Sequence, residues 1–223
     1  MMHPRHAATP PGETRGGAAL APSGTGGLRW LAQEPVLFGL VVAAILVLCA
    51  VYGPFLTSDG PAHLGLANAM ARDGDPDWPL SNRFYAVNAE FVPNLAAHLL
   101  MVQLMRVLPP LAAEQILQAI ALVMPLVAGR LLLGRIAPGA AWLALFLVPV
   151  AFQKLFFIGL YNFTLSVSAF LLCLWAYLGV REQANPWRVL LLAGLLVLAL
   201  LCHVMGWLQA MLTIGWLLLV GLV

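Results

Sequence analysis

The sequence predicts an all-α, polytopic membrane protein with about six transmembrane helices and interfacial helices in the first outer loop. Three observations lead there. The 223 residues are 62% hydrophobic and only 9% charged, where a soluble domain carries roughly 25% charged residues. That leaves too little polar surface to coat a water-soluble particle. The apolar runs are long, as helical spans must be, and none shows the short alternating segments of a membrane barrel. The net charge is only +2, and no basic patch with interleaved aromatics occurs, so nucleic acid is excluded as a partner. Cys49, Cys173 and Cys202 all lie within apolar runs. An odd count without metal-ligand spacing reads as small core residues rather than a disulfide or a zinc site.

Residues 1–28 are rich in Gly, Pro, Ala, Ser and Thr without apolar periodicity, which predicts a disordered cytoplasmic tail. His3 and His6 fall in that tail and carry no further expectation. Residues 29–223 form the membrane domain. The first span is expected over 35–56, opening on Pro35, a favoured first helical position. About 22 residues at 1.5 Å each cover a hydrocarbon core of roughly 30 Å. The apolar region is too long for a cleaved signal peptide, and no small-x-small site follows it, so it reads as an uncleaved signal anchor.

Residues 57–110 form the outer loop. Pro61–Arg72 predicts a short helix with Leu64, Ala67 and Ala71 on one side, suited to the interface. Asp73-Gly74-Asp75-Pro76-Asp77 reads as a turn. Its alternating acids lack the glycine and distal glutamate of a calcium loop. Trp30, Trp78, Phe84 and Tyr85 are expected interface anchors. Residues 93–108 show an apolar stripe, yet His98, Gln103 and Arg106 interrupt it and Pro109-Pro110 ends it. About 16 residues is short for a span, so this segment is expected along the outer interface.

Later spans are expected near 111–135, 139–158, 161–180, 187–203 and 205–223. Residues 187–223 as one helix would reach roughly 55 Å, too long for one crossing, so a tight turn is placed near His203–Gly206. The apolar run reaching Val223 predicts that the membrane domain continues beyond it. Charge supports this count. With the N-terminus inside, Arg5, Arg15, Arg29, Arg130, Arg135, Arg181 and Arg188 are cytoplasmic, and Arg72, Arg83, Arg106 and Lys154 are outside. The bias obeys the positive-inside rule and would reverse if 93–108 crossed the membrane.

The chemistry-bearing stretch is Thr57-Ser58-Asp59-Gly60-Pro61-Ala62-His63-Leu64. A carboxylate held above a membrane helix can act as a general base toward an incoming hydroxyl or amine. It can also bind a cation, or simply cap the helix opening at Pro61. His63 follows four residues later, placed to pair with Asp59 or to meet a phosphate. Arg83, Lys154 and Arg106 are outer cations that suit a lipid phosphate or snorkel to headgroups. Glu114 sits in the first turn of a span, where it complements the helix dipole or marks a functional site. Tyr161-Asn162 and His203 lie at outer turns.

The order of these parts resembles the GT-C glycosyltransferases, in particular the protein mannosyltransferase and aminoarabinose transferase branch. The elements that carry the resemblance are one span, an early outer acid, short membrane-parallel helices, and a helix ending in Gly-Arg-x-x-x-Gly-Arg over 129–135. Ser58–His63 stands where the family has an Asp-Glu-x-x-Tyr-type stretch. Val92-Pro93-Asn94-Leu95 matches its proline-bearing helix start, Glu114 its acid before the second span, and Arg130 and Arg135 its basic cytoplasmic end. The resemblance covers roughly residues 35–160. It implies an enzyme of the bacterial inner membrane that moves a sugar from a polyprenyl-phosphate donor to an acceptor on the outer face, with Asp59 as the catalytic residue. His63, Arg83, Lys154, Glu114 and His203 are the expected substrate-binding residues around it. Gly60 stands where the family's second acid would be, so neither a metal site nor a cofactor is expected, with a divalent cation left open. The partners implied are the lipid-linked donor and membrane lipids. Two alternatives remain, a transporter or lipid flippase and a non-catalytic assembly subunit.

Overall fold

The computed structural model describes residues 29–221 except residue 89. The expected tail over 1–28 lies outside the described residues. Those residues form helices and no strand. In chain order the helices are α1 (Arg29–Tyr52), α2 (Gly60–Ala71), α3 (Pro79–Phe84), α4 (Ala96–Met105), α5 (Pro110–Ile136), a 3-10 helix (Pro138–Leu147), α6 (Val148–Ala151), α7 (Lys154–Ile158), α8 (Tyr161–Glu182), α9 (Pro186–Cys202) and α10 (Val204–Val220). Four segments are long and apolar enough to cross a membrane: Glu34–Tyr52, Pro110–Ile136, Pro138–Ile158 and Tyr161–Glu182. Helices α9 and α10, at 17 residues each, are shorter apolar helices.

Proline places most of the helix starts. Pro110 and Pro186 open α5 and α9 at positions whose N–H has no helical acceptor in any case. Pro61 lies at the second position of α2. Pro35 departs from expectation: α1 begins at Arg29 and runs through it. Its fixed φ is helical, so the helix continues with one hydrogen bond missing. Helix α4 is only ten residues, roughly 15 Å, and is not among the segments long enough to cross a membrane. The break between α9 and α10 falls at His203, whose backbone is extended (φ −165°, ψ 135°).

The segment 138–158 is not the single α-helix expected. Its first ten residues are a 3-10 helix, unusually long for that form, which rises about 2.0 Å per residue against 1.5 Å in an α-helix.

Helices α5 and α8 form the centre of the bundle. Large apolar side chains on α1, α9 and α10, such as Val47, Leu190 and Leu212, stay exposed on the outside of the protein. One core cluster joins α1, α5 and the 138–158 segment through Ile45, Cys49, Leu122, Leu126 and Phe156. A second joins α8, α9 and α10 through Cys173, Tyr177, Ala199 and Ala210. Close helix approach needs small residues. At Gly206 on α10, an added Cβ would lie 2.6 Å from the Cβ of Ser166 on α8.

Arginines of α5, α8 and α9 gather at one end of the bundle. Arg130 on α5 pairs with Glu34 on α1. Arg135 pairs with Glu182 at 3.4 Å and donates to the Trp175 carbonyl at 2.7 Å. Arg188 donates to the Gly179 carbonyl at 2.6 Å, and Gly221 at the end of α10 lies against the Arg181 guanidinium. The opposite end carries the Thr57–Leu64 stretch.

Candidate functional site

The site is built where the chain leaves α1. Gly53 takes a left-handed conformation (φ 66°) and turns the chain across the top of α5. Phe55 then enters an aromatic cage, its ring 6.4, 5.9 and 6.4 Å from those of Phe152, Phe156 and Phe157. Gln118 on α5 grips the Phe55 backbone from the other side. The Phe55 N–H donates to Gln118 Oε1 at 2.6 Å, and Gln118 Nε2 donates to the Phe55 carbonyl at 3.0 Å. One turn earlier, Gln115 Nε2 donates to the Cys49 carbonyl at 2.6 Å. The first turns of α5 therefore serve the orphan carbonyls and loop amides at the end of α1.

The next residues are held from α7 and α8. The Ser58 N–H donates to the Phe157 carbonyl at 3.2 Å and the Asp59 N–H to the Ile158 carbonyl at 2.8 Å. Gly159 permits this approach: its φ is +98°, and a Cβ there would stand 2.9 Å from the Gly60 nitrogen and 3.1 Å from the Asp59 nitrogen. Gly60 is equally confined, between Thr57 Oγ1, Glu114 Oε1 and the Tyr161 hydroxyl.

A buried polar knot lies beneath. The fully buried Tyr161 hydroxyl donates to Glu114 Oε1 at 2.7 Å and accepts from Gln118 Nε2 at 2.8 Å. It also shares a 2.9 Å hydrogen bond with Thr57 Oγ1. Glu114 does not sit in the first turn of α5 as expected: the helix opens at Pro110 and its first turn holds no acid, so Glu114, 5% exposed, acts in the structure as a hydrogen-bond partner of Tyr161 rather than as a charge on the helix dipole. Together these contacts lock the Thr57–Gly60 turn at a set height.

Asp59 occupies the N-cap position of α2 but makes no side-chain cap bond. Its carboxylate is exposed and enters no ion pair among the described residues. The fold holds its backbone and leaves its side chain unused. Lys154, also exposed, begins the short helix α7 whose last carbonyls hold Ser58 and Asp59. Among the described residues no ion pair joins the two side chains.

His63 does not pair with Asp59. Its Nδ1 lies 3.0 Å from Nε2 of His98 on α4, and its ring is 5.7 Å from that of Tyr161. Burial, and then the neighbouring His63, holds His98 below the ordinary imidazole range, with the Asn94 backbone acting the other way. Asn162 anchors α4 alongside: its Oδ1 accepts from Ala97 N–H at 2.8 Å and its Nδ2 donates to the Asn94 carbonyl at 2.7 Å. His203 is a helix cap, its Nδ1 accepting from Met205 N–H at 3.1 Å with its ring edge-on to Phe163. Arg83 lies exposed on α3 over the Phe84 ring, and no hydrogen bond or ion pair joins it to the Asp59 turn among the described residues. Of the expected substrate-binding residues, Glu114 lies beneath this turn and His63 stands in the helix that follows it, Lys154 opens the short helix whose carbonyls hold it, and Arg83 and His203 take other places.

Between α2, α3, the following loop and α4 lies a cavity of about 270 Å³, lined by Leu66, Met70, Asp73, Tyr85, Asn94 and His98 among others. The acidic loop beside it is the exposed turn expected, with Asp77 N–H bonded to Asp75 Oδ1 and Asp75 paired to Arg72 at 3.6 Å. Among the described residues no group of three or more His, Cys, Asp or Glu is gathered to hold a metal.

The chain matches no protein-family model, no curated protein and no solved structure.

Proposed function

We propose that this protein is a membrane glycosyltransferase of the GT-C kind, taking a sugar from a polyprenyl-phosphate donor on the outer face of the inner membrane. In this reading the chain crosses six times, at α1, α5, the 138–158 segment, α8, α9 and α10, with the N-terminus cytoplasmic. The arginine-rich end of the bundle is then the cytoplasmic one, and the Asp59 turn faces outward. Asp59 removes the proton from the acceptor hydroxyl or amine as the sugar carbon is attacked. Lys154, on the helix that holds the turn, meets the departing lipid phosphate. A single displacement inverts the sugar carbon.

One observation carries the reading. The turn bearing Asp59 is fixed by two backbone hydrogen bonds and a buried three-partner knot, while the Asp59 carboxylate is exposed and unbonded. A side chain needed only for folding would be used by the fold. The test is a lipid-linked sugar transfer assay on Asp59→Asn and Asp59→Ala in membranes. General-base removal should lower the rate by about 10²-fold or more while both variants fold normally, since the native side chain makes no cap bond and no ion pair among the described residues. Full activity in both variants rejects the proposal.

A transporter or flippase is the second reading, favoured by one feature of α8. Its buried face carries Asn162, Thr164, Ser166 and Ser168, and polar groups inside a membrane bundle mark transport paths. Thr164 and Ser166 bond to carbonyls of their own helix, so only part of this row is free to meet a substrate. Substrate movement across proteoliposomes without sugar transfer would favour this reading over the first.

A further inference from the structure

The two imidazoles of His63 and His98 bridge α2 and α4 through one contact, Nδ1 to Nε2 at 3.0 Å. The same two helices share the buried core of Ala67, Ala97 and Met101. They also form two walls of the outer cavity, α2 through Leu66, Ala69 and Met70 and α4 through His98, with Leu95 just before it. The histidine contact thus sits on the seam between these walls.

We propose that the His63–His98 pair is a proton-operated latch, closing α2 against α4 while the two rings share one hydrogen and releasing them when both rings are charged.

The chemistry follows from the number of protons between the two nitrogens. A neutral imidazole has one donor and one acceptor nitrogen, and a protonated one has two donors. In the neutral pair one N–H points at one lone pair, and the bond forms. The donor and acceptor roles depend on the tautomer; in the one in which His98 Nε2 accepts, His63 Nδ1 is the donor. A proton added at His63 Nε2 would lie away from the contact and leave the bond intact. A second must land on His98 Nε2 itself. Two N–H groups then face each other between two like charges, and neither a hydrogen bond nor close approach survives.

The surrounding groups set when this happens. From α8, Tyr161 packs against His63 and presents its ring rather than an acceptor. From α5, Glu114 lies behind Tyr161 and is bound to its hydroxyl. Asp59 heads α2, Arg72 closes it, paired to Asp75, and Asp73 shares the cavity wall with His98. From α9, the Leu201 carbonyl is bonded to Leu95 N–H at the head of α4. Burial of His98 and the charge of His63 disfavour the second proton. Release therefore falls below the ordinary imidazole value of 6.5, on the acid side of neutrality. The consequence is an outer cavity that opens in an acidic exterior and closes near neutral pH. This does not depend on which reaction the protein performs.

The full chain in lipid nanodiscs tests the proposal. Spin labels are placed at Ala62→Cys and Gln103→Cys, both exposed positions on α2 and α4. The native Cys49, Cys173 and Cys202 are buried and stay unlabelled. Between about pH 7.5 and about pH 5, across the titration range of histidine, the label distance should lengthen and should recover on return to neutral. In His63→Gln and His98→Gln, each tested separately, the distance should no longer respond to pH, whatever its starting value. Circular dichroism at both pH values reads helix content alongside. A distance that does not change in the native chain, a pH response that persists in either variant, or a shift accompanied by loss of helix overturns the latch.

Discussion

Removing a single oxygen from Tyr161 tests whether the polar knot holds the candidate site. In Tyr161→Phe the ring stays and three hydrogen bonds go: to Glu114 at 2.7 Å, Gln118 at 2.8 Å and Thr57 at 2.9 Å. Interhelical hydrogen bonds in membrane proteins average about 0.6 kcal/mol, which sets a floor near 2 kcal/mol for three. Bonds to charged groups reach about 1.5–3 kcal/mol, and a buried group left without a partner costs about 1–3 kcal/mol, so the loss rises to about 5 kcal/mol when Glu114 finds no substitute donor. For a chain of this size each kcal/mol lowers Tm by about 2–4 °C, and the expected drop is about 5 °C or more. Intrinsic tryptophan fluorescence of the detergent-purified chain reads it. Tyr177→Phe is the matched control. Its hydroxyl is also buried, but has no hydrogen-bond partner among the described residues, so its removal relieves a desolvated group and should leave Tm unchanged or higher. Equal shifts in the two variants would refute the reasoning, because they would show ring packing rather than the hydroxyl knot to be what matters.

Two further substitutions probe the joints on either side. Gly159→Ala forces a side chain into φ +98° against the Asp59 and Gly60 nitrogens, a strain of about 1–3 kcal/mol. It should lower both Tm and sugar transfer with Asp59 intact, whereas Gly65→Ala, with nothing within 4 Å of the new Cβ, should gain about 0.5–1 kcal/mol from helix propensity. Arg130→Ala leaves Glu34, 8% exposed, without its partner and should cost about 3–5 kcal/mol. Adding Glu34→Gln should recover most of that in a thermal double-mutant cycle.

Much of the fold was legible because it rests on local signals. Composition implied helices in a membrane, Pro61, Pro110 and Pro186 lie at or next to helix starts, and Pro109-Pro110 kept α4 short. The charge bias separated Asp59 from Arg130 and Arg135, and the bundle places them at opposite ends. The 3-10 winding of Pro138–Leu147 carried no such signal, since its Ala, Leu and Trp residues suit an α-helix equally well. Of the candidate site, the sequence singled out the Thr57–Leu64 turn and Glu114, but not the contacts between them. Tyr161 meets Thr57 across 104 residues, Gln118 meets Phe55 across 63, and His98 meets His63 across 35. Such pairs follow from packing that no local pattern encodes. The polar residues that interrupt the apolar stripe of 93–108 were the one available hint to His98, and they pointed equally well to a surface-lying helix.

The two roles first open to Asp59, helix cap and chemical group, compete for one carboxylate, and in the structure that carboxylate does not serve the first. A cap would accept from the amides at the start of α2, but no such bond exists. Gly159, Gln118, Tyr161 and two α7 carbonyls do the holding instead, at the cost of burying Glu114 and Gln118. Buried polar groups are expensive unless fully bonded, and here they are spent on the shape of four residues outside the apolar core. Stability alone would be served better by apolar packing at the end of α1. A turn built this way resists displacement, and what it displays is a bare acid on an exposed face. The arrangement fits a site in which the position of Asp59 matters more than its contribution to folding.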